Sequence, residues 1–114
     1  MSKNNKHTFE INIQEPYFTY IERGIKTIEG RLYKSKFREL KIRDSLYINN
    51  LLLVEVTEIK LYKSFNEMLS HEDIQKVIPG VKNKEEAENV YRKFYPKEDE
   101  RTFGVIAIKI KLLS

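Results

Sequence analysis

Apolar and polar positions alternate from Thr8 to Ile13, with Phe9, Ile11 and Ile13 set against Thr8, Glu10 and Asn12. A period of two is that of a strand with one buried face. Glu15-Pro16 then predicts a helix, because proline suits the first helical position. Tyr17, Phe18 and Ile21 supply its apolar stripe, and Gly24 is a good residue to end it. Leu46–Ile48 and Leu51–Leu61 read as two strands joined by an Asn49-Asn50 hairpin turn. In the second, Val54 and Val56 are even-numbered, whereas Ile59 and Leu61 are odd. That phase change predicts a bulge near Thr57-Glu58, a feature common where a sheet curls toward a barrel.

Helices follow. Ser64-Phe65-Asn66-Glu67 fits a capping box and leads into Met68 and Leu69. Ile74, Val77 and Ile78 form a second short helix, stopped by Pro79-Gly80. Asn83 with Glu86 is another cap signal. Ala87, Val90, Tyr91 and Phe94 then recur at helical spacing up to Pro96, an amphipathic helix. Lys97 to Arg101 reads as a charged loop. Phe103 to Leu113 is the last strand, with Ile106, Ile108, Ile110 and Leu112 facing in and Lys109 and Lys111 facing out. About five strands, with helices inserted between the fourth and the fifth, make an α+β fold: a curled sheet or open barrel with helices packed against it. Residues 1–7 are expected to be a disordered N-terminal tail and residues 8–114 a single domain.

Composition narrows the chemistry. The 114 residues carry 21 Lys+Arg against 17 Asp+Glu, a net charge of +4 and a pI near 9.2. That excess permits a polyanionic partner without demanding one. The absence of cysteine excludes disulfides and thiolate metal sites. His7 and His71 lie far apart among polar residues and lack metal-ligand spacing, so neither a metal nor another cofactor is expected. No apolar run approaches a membrane span, and no signal-peptide core follows Met1. The expected compartment is the cytoplasm.

The segment Gly24-Ile25-Lys26-Thr27-Ile28-Glu29-Gly30-Arg31 concentrates the candidate chemistry. Lys26 and Glu29 are three apart, so a regular strand would send them to opposite faces. An irregular approach around Gly24 to Lys26 repairs the phase, with the strand proper starting near Thr27. Glu29 and Arg31 then share a face, and Lys26 reaches it from the turn. On spacing alone this is an ion pair pinning strand to helix.

These residues also carry a family resemblance. Gly24, Lys26, Glu29 and Arg31 match G-x-K-x-x-E-x-R, and the chain resembles the ASCH family, whose members have a PUA-like β-barrel. The likeness extends over nearly the whole chain, through the Ser64-Phe65 helix, the helix ending at Tyr95-Pro96 and the closing Phe103–Ile108 strand. It is nearest to the short, single-domain microbial type. Arg43-Asp44 departs from the family's usual glycine before aspartate. The resemblance implies a small PUA-like open β-barrel of about five to six strands, with a cleft between barrel and helices. It also implies that Gly24, Lys26, Thr27, Glu29 and Arg31 line this cleft and bind RNA, a nucleotide or a modified nucleoside.

Lys26 and Arg31 offer donors suited to a phosphate or a base carbonyl, and Glu29 accepts from an exocyclic amine or orients Lys26. Lys34, Lys36, Arg38, Lys41 and Arg43 follow directly, relieved only by Glu39. This run is either a solvated loop or a nucleic-acid rim in which Phe37 stacks on a base. Lys109 and Lys111 extend the patch if their strand lies beside Arg31. Tyr20 and Tyr95 are further candidates to line the cleft.

Two other functions stay open. One family branch hydrolyses 4-acetylcytidine with the signature lysine, a threonine three positions later and a distal glutamate. Here Lys26 matches, Glu29 stands where that threonine would be, and no distal glutamate is placed. Were the protein an amidohydrolase or an RNA-cleaving enzyme, Lys26 and Glu29 would be its catalytic pair. The other reading has no ligand, the domain acting through a protein partner.

Overall fold

Two consecutive asparagines in the left-handed region, Asn49 (φ 54°) and Asn50 (φ 57°), turn the chain tightly between two strands. Left-handed residues suit a hairpin turn that must follow the right-handed twist of its strands, and three residues, Asn49 to Leu51, connect the paired Ile48 and Leu52. In the computed structural model, which describes residues 6–113, that hairpin joins β3 (Ser45–Ile48) to β4 (Leu52–Tyr62). The other strands are β1 (Thr8–Ile11), β2 (Ile28–Leu32) and β5 (Val105–Leu112). Their order is β1-β3-β4-β5-β2. β1 runs parallel to β3, and the other neighbours are antiparallel. The register of β4 against β5 slips between Val56 and Glu58, where the phase change predicts a bulge. A bulge strengthens local twist, and the five strands form the curled half-barrel of an α+β fold.

The five α-helices of the described residues are α1 (Tyr17–Glu22), α2 (Phe65–His71), α3 (Ile74–Val77), α4 (Lys84–Arg92) and α5 (Lys97–Phe103). Capping follows the sequence. The Ser64 hydroxyl accepts from the Glu67 N–H at 3.0 Å, while the Glu67 carboxylate accepts from the Lys63 N–H at 2.7 Å. The Asp73 and Asn83 side chains cap α3 and α4.

Two apolar clusters hold the sheet from its two sides. Leu46, Ile48, Val54, Val56, Ile106 and Ile108 fill the concave side with Phe18, Ile21 and Phe37. Val105, Ala107, Ile28 and Leu32 meet Phe65, Met68, Val77, Ala87 and Tyr91 on the helical side. The first half of β5 is therefore buried on both faces, which is why its sequence is continuously apolar before the lysines begin. Lys109 faces away from Ile108 and lies with Glu58, Lys60, Glu72 and Lys76 in a separate depression. The expected extension of a basic patch through this lysine does not form, because the pleat turns it from the face that carries Glu29 and Arg31.

Lys97–Phe103 departs from the expected loop: it is helix α5. Glu98, Asp99 and Glu100 occupy its first turn, where acidic groups favour a helix N-terminus. Glu100 is buried and accepts from the Phe65 N–H at 2.7 Å and from Arg92 at 2.6 Å. Only the tertiary setting supplies those partners.

Of the expected tail, residues 1–5 lie outside the described residues. The backbone of His7 donates to Asp44 and accepts from the Ser45 N–H. No helix of the described residues is long and apolar enough to cross a membrane.

Candidate functional site

The turn after α1 delivers Lys26 to the start of β2. The carbonyl of Tyr20 accepts from the N–H groups of Ile25 and Lys26, and Gly24 has a φ of 76°. β2 then begins at Ile28, so the irregular approach expected from the phase is present. Lys26 is 2 % exposed. Its Nζ donates to the carbonyls of Ile28 (2.6 Å) and Val77 (2.5 Å) and lies 3.1 Å from Glu29 Oε1. An ammonium has three protons, and all three are taken. Lys26 thus joins the β2 edge to the end of α3 and props Glu29 from below.

Glu29 passes the charge on. Its Oε2 accepts from Arg31 Nε at 2.6 Å. Arg31 also donates through Nη2 to the Asn12 carbonyl at 2.6 Å, and its guanidinium lies 5.4 Å from the centre of the Phe37 ring. Asn12 follows β1, and Arg31 is on β2, so the guanidinium bridges the two outer edges of the open barrel.

At this seam a cleft of about 200 Å³ opens. Lys26, Glu29, Gly30 and Arg31 form its floor, and Asn12 and Gln14 one lip. Tyr17, Tyr91, Phe94 and Tyr95 make its walls. The Phe65 ring stacks on Tyr91 at 4.1 Å and on Tyr95 at 5.4 Å, which fixes both tyrosines.

Burial shapes the electrostatics. It pushes the Lys26 ammonium below the usual lysine value, while Glu29 pulls the other way. Burial would raise Glu29, yet Lys26 and Arg31 together outweigh it and hold the carboxyl below the usual carboxylate range. Tyr91 is raised well above the usual tyrosine value, by burial first and by Glu29 second, so its hydroxyl keeps its proton. The lowered Lys26 does not by itself make a base. A base or nucleophile needs a lone pair free to reach a substrate, and every direction around Nζ is occupied by a protein acceptor. The accessible chemistry is hydrogen bonding by Glu29 and Arg31 beside aromatic faces.

The structure thus brings three of the expected residues together. Gly24 and Thr27 are not at the cleft: Gly24 is the exposed end of the α1 turn, and Thr27 pairs its backbone with Lys76 and Ile110. Tyr20 lies instead by Gly80, whereas Tyr95 does line the cleft. Phe37 is not on the rim. It is 9 % exposed, in the concave core under Arg31, because the 3-10 turn Ser35–Arg38 folds it inward. Lys34, Lys36, Arg38, Lys41 and Arg43 are exposed. Lys36 donates to the Glu10 carbonyl near the Asn12 lip, Lys34 lies over Phe103, and Arg38 lies over Tyr33. Among the described residues no three His, Cys, Asp or Glu side chains gather into a metal site.

Sequence reading assigned Tyr17, Tyr91 and Phe94 to packing, yet all three line the cleft, and Phe94 is 47 % exposed. Gly30 is a floor residue too. A glycine inside an otherwise β-prone segment is the signal that marks it, since it admits a close approach. A Cβ there would meet the Tyr91 hydroxyl at 2.8 Å and Met68 Cε at 2.9 Å.

The comparisons with known proteins agree with this architecture. The chain matches the crystal structure of hypothetical protein PH0355 with a TM-score of 0.90 and 45% identity, over 93% of this chain and 99% of that one. The solution NMR structure of protein PF0455 from Pyrococcus furiosus matches with a TM-score of 0.80 and 42% identity, over 94% and 98%. No curated protein matches. The sequence profile of the ASCH domain matches residues 11–114, so the chain belongs to the ASCH domain family.

Proposed function

We propose that this protein binds a nucleobase, presented by a nucleoside, a nucleotide or an unpaired RNA residue, in the cleft at the barrel seam. The observation that carries the reading is the placement of Glu29 and Arg31, locked by Lys26, on the floor of a cleft walled by tyrosine and phenylalanine rings. Aromatic faces stack on any base, and a few fixed polar groups then orient it. The volume agrees: a cavity of roughly 150 Å³ holds benzene, and about 200 Å³ accommodates a base with its sugar or phosphate outside.

Lys26 supports the site without touching the ligand. Arg31 donates to a base carbonyl oxygen or a phosphate, and Glu29 keeps the guanidinium in place. Lys34, Lys36 and Arg38 extend from the Arg31 side and attract the backbone of a longer RNA. That contribution falls with salt, whereas stacking in the cleft does not.

The test is fluorescence anisotropy with a labelled single-stranded RNA at low and at high salt, repeated with Arg31→Ala. The expected result is binding that weakens steeply with salt and falls about ten-fold or more in Arg31→Ala, the scale of a lost charged hydrogen bond. No binding at low salt, or binding that Arg31→Ala leaves unchanged, overturns the proposal.

A further inference from the structure

Besides Arg31, Gly30 on the cleft floor and Tyr91 on its wall carry polar groups that no partner among the described residues takes. β2 is an edge strand. The bonds from Ile110 N–H to the Thr27 carbonyl and from Tyr33 N–H to the Gly104 carbonyl fix its alternation. Odd-numbered residues turn their N–H and C=O toward β5, and Ile28, Gly30 and Leu32 turn theirs to the outer edge. The Ile28 carbonyl accepts from Lys26, and the Leu32 carbonyl from the Lys34 N–H. Gly30 lies between them, buried, and among the described residues neither its N–H nor its C=O has a partner. Beside it, the Tyr91 hydroxyl is the one buried side-chain polar atom of the described residues without a hydrogen bond. Buried polar groups are almost always paired, so three orphans side by side where the floor of the cleft meets its wall mark where a ligand bonds.

We infer that the Gly30 backbone edge and the Tyr91 hydroxyl read the ligand, selecting a single-ring heterocycle with a carbonyl next to a ring N–H, as in uracil. This rests on the nucleobase reading of the cleft. The Gly30 carbonyl takes the ring N–H. The Gly30 N–H and the protonated Tyr91 hydroxyl both donate, and a carbonyl oxygen has two lone pairs to accept both. A ring nitrogen, the acceptor beside the amino group of cytosine or adenine, has only one. The volume of about 200 Å³ favours one ring over two. A peptide strand does not fit this edge, since the flanking carbonyls of Ile28 and Leu32 are already occupied.

The test titrates 15N-labelled protein with uridine, 3-methyluridine and cytidine, using the wild type and Tyr91→Phe. The phenylalanine keeps the ring stacked on Phe65 and removes only the hydroxyl. Uridine is expected to shift the Gly30 amide proton downfield and to bind about ten-fold tighter than the other two nucleosides, the scale of one lost hydrogen bond. Tyr91→Phe is expected to weaken uridine by a similar factor while raising the melting temperature of the free protein, since the orphan hydroxyl is gone. Equal binding of uridine and 3-methyluridine, or unchanged uridine affinity in Tyr91→Phe, overturns the inference. If RNA or another nucleoside binds while Gly30 and Tyr91 stay silent, this inference alone falls. If neither nucleosides nor RNA bind, the nucleobase reading falls with it.

Discussion

Lys26 and Glu29 stand three residues apart, and their charged ends meet 3.1 Å apart inside the protein. Regular strand pleating would have sent them to opposite faces. The bond exists because β2 starts only at Ile28, leaving Lys26 in the turn and free to reach beneath the edge.

Removing one partner of such a buried pair strands the other. Lys26→Met is expected to cost about 3–5 kcal/mol of stability, measured by urea unfolding. A cost below about 1 kcal/mol, the range of an exposed pair, would show that Glu29 does not depend on Lys26.

The pair also sets a pH response. Glu29 has a lowered folded value, so the folded chain binds fewer protons than the unfolded one between the folded and unfolded values. Its stabilisation is complete above about pH 4.3, the unfolded reference, and is lost as pH falls through the folded value. Lys26 is lowered as well, so stability from this group rises as pH climbs toward about 10.4. Melting temperature against pH should therefore drop on the acid side, with a shallower drop in Glu29→Gln. An equally steep acid limb in the variant would remove Glu29 from that role.

Gly30→Ala places a methyl against the Tyr91 hydroxyl and Met68. Overpacking of this kind costs about 1–3 kcal/mol. Tyr91→Phe in the same chain deletes the nearest atom, so the double variant should recover part of the loss. A double-mutant cycle of melting curves measures this; strict additivity would mean the two positions do not touch.

Arg43 has a φ of 82°, in the left-handed region. This is the position where the family resemblance implied glycine, and the backbone gives the reason: without a Cβ the conformation is unstrained. Arg43→Gly is expected to stabilise the protein by about 1 kcal/mol, the strain released less the added freedom of the unfolded chain. Chemical denaturation checks it, and a loss of stability would show that the arginine is held by something stronger than the strain.

Glu100→Ala removes the acceptor of the Phe65 N–H and the partner of Arg92. The expected loss is about 1.5–3 kcal/mol, as for a hydrogen bond to a charged group, with faster amide exchange at the start of α2. Wild-type exchange at Phe65 would mean that the carboxylate does not hold that helix end.

Local chemistry made much of the fold legible. Asn49-Asn50 has one favourable use between two β-prone runs, and Ser64…Glu67 and Asn83…Glu86 are caps wherever a helix follows. The Val56-to-Ile59 phase change located the bulge because side chains alternate with a strict period of two. Lys97–Phe103 was not legible as a helix: Phe103 is its only large apolar residue, so it shows no amphipathic period. Phe37 was misplaced for a related reason, since basic neighbours suggest a surface, and only the 3-10 turn reveals that one side chain in the run points inward.

The sequence by itself determined the family, the element types apart from α5, and the meeting of Lys26, Glu29 and Arg31, because turns, caps, alternation and a four-residue signature all act within a few residues. The tertiary structure decided which groups remain unsatisfied. That Lys26 has spent its protons on Ile28, Val77 and Glu29, while Gly30 and Tyr91 have spent none, depends on α3 and α4 lying against the edge of β2. Hydrogen-bond partners fifty residues apart in the chain leave no periodic mark on it, so the availability of a polar group is a property of packing.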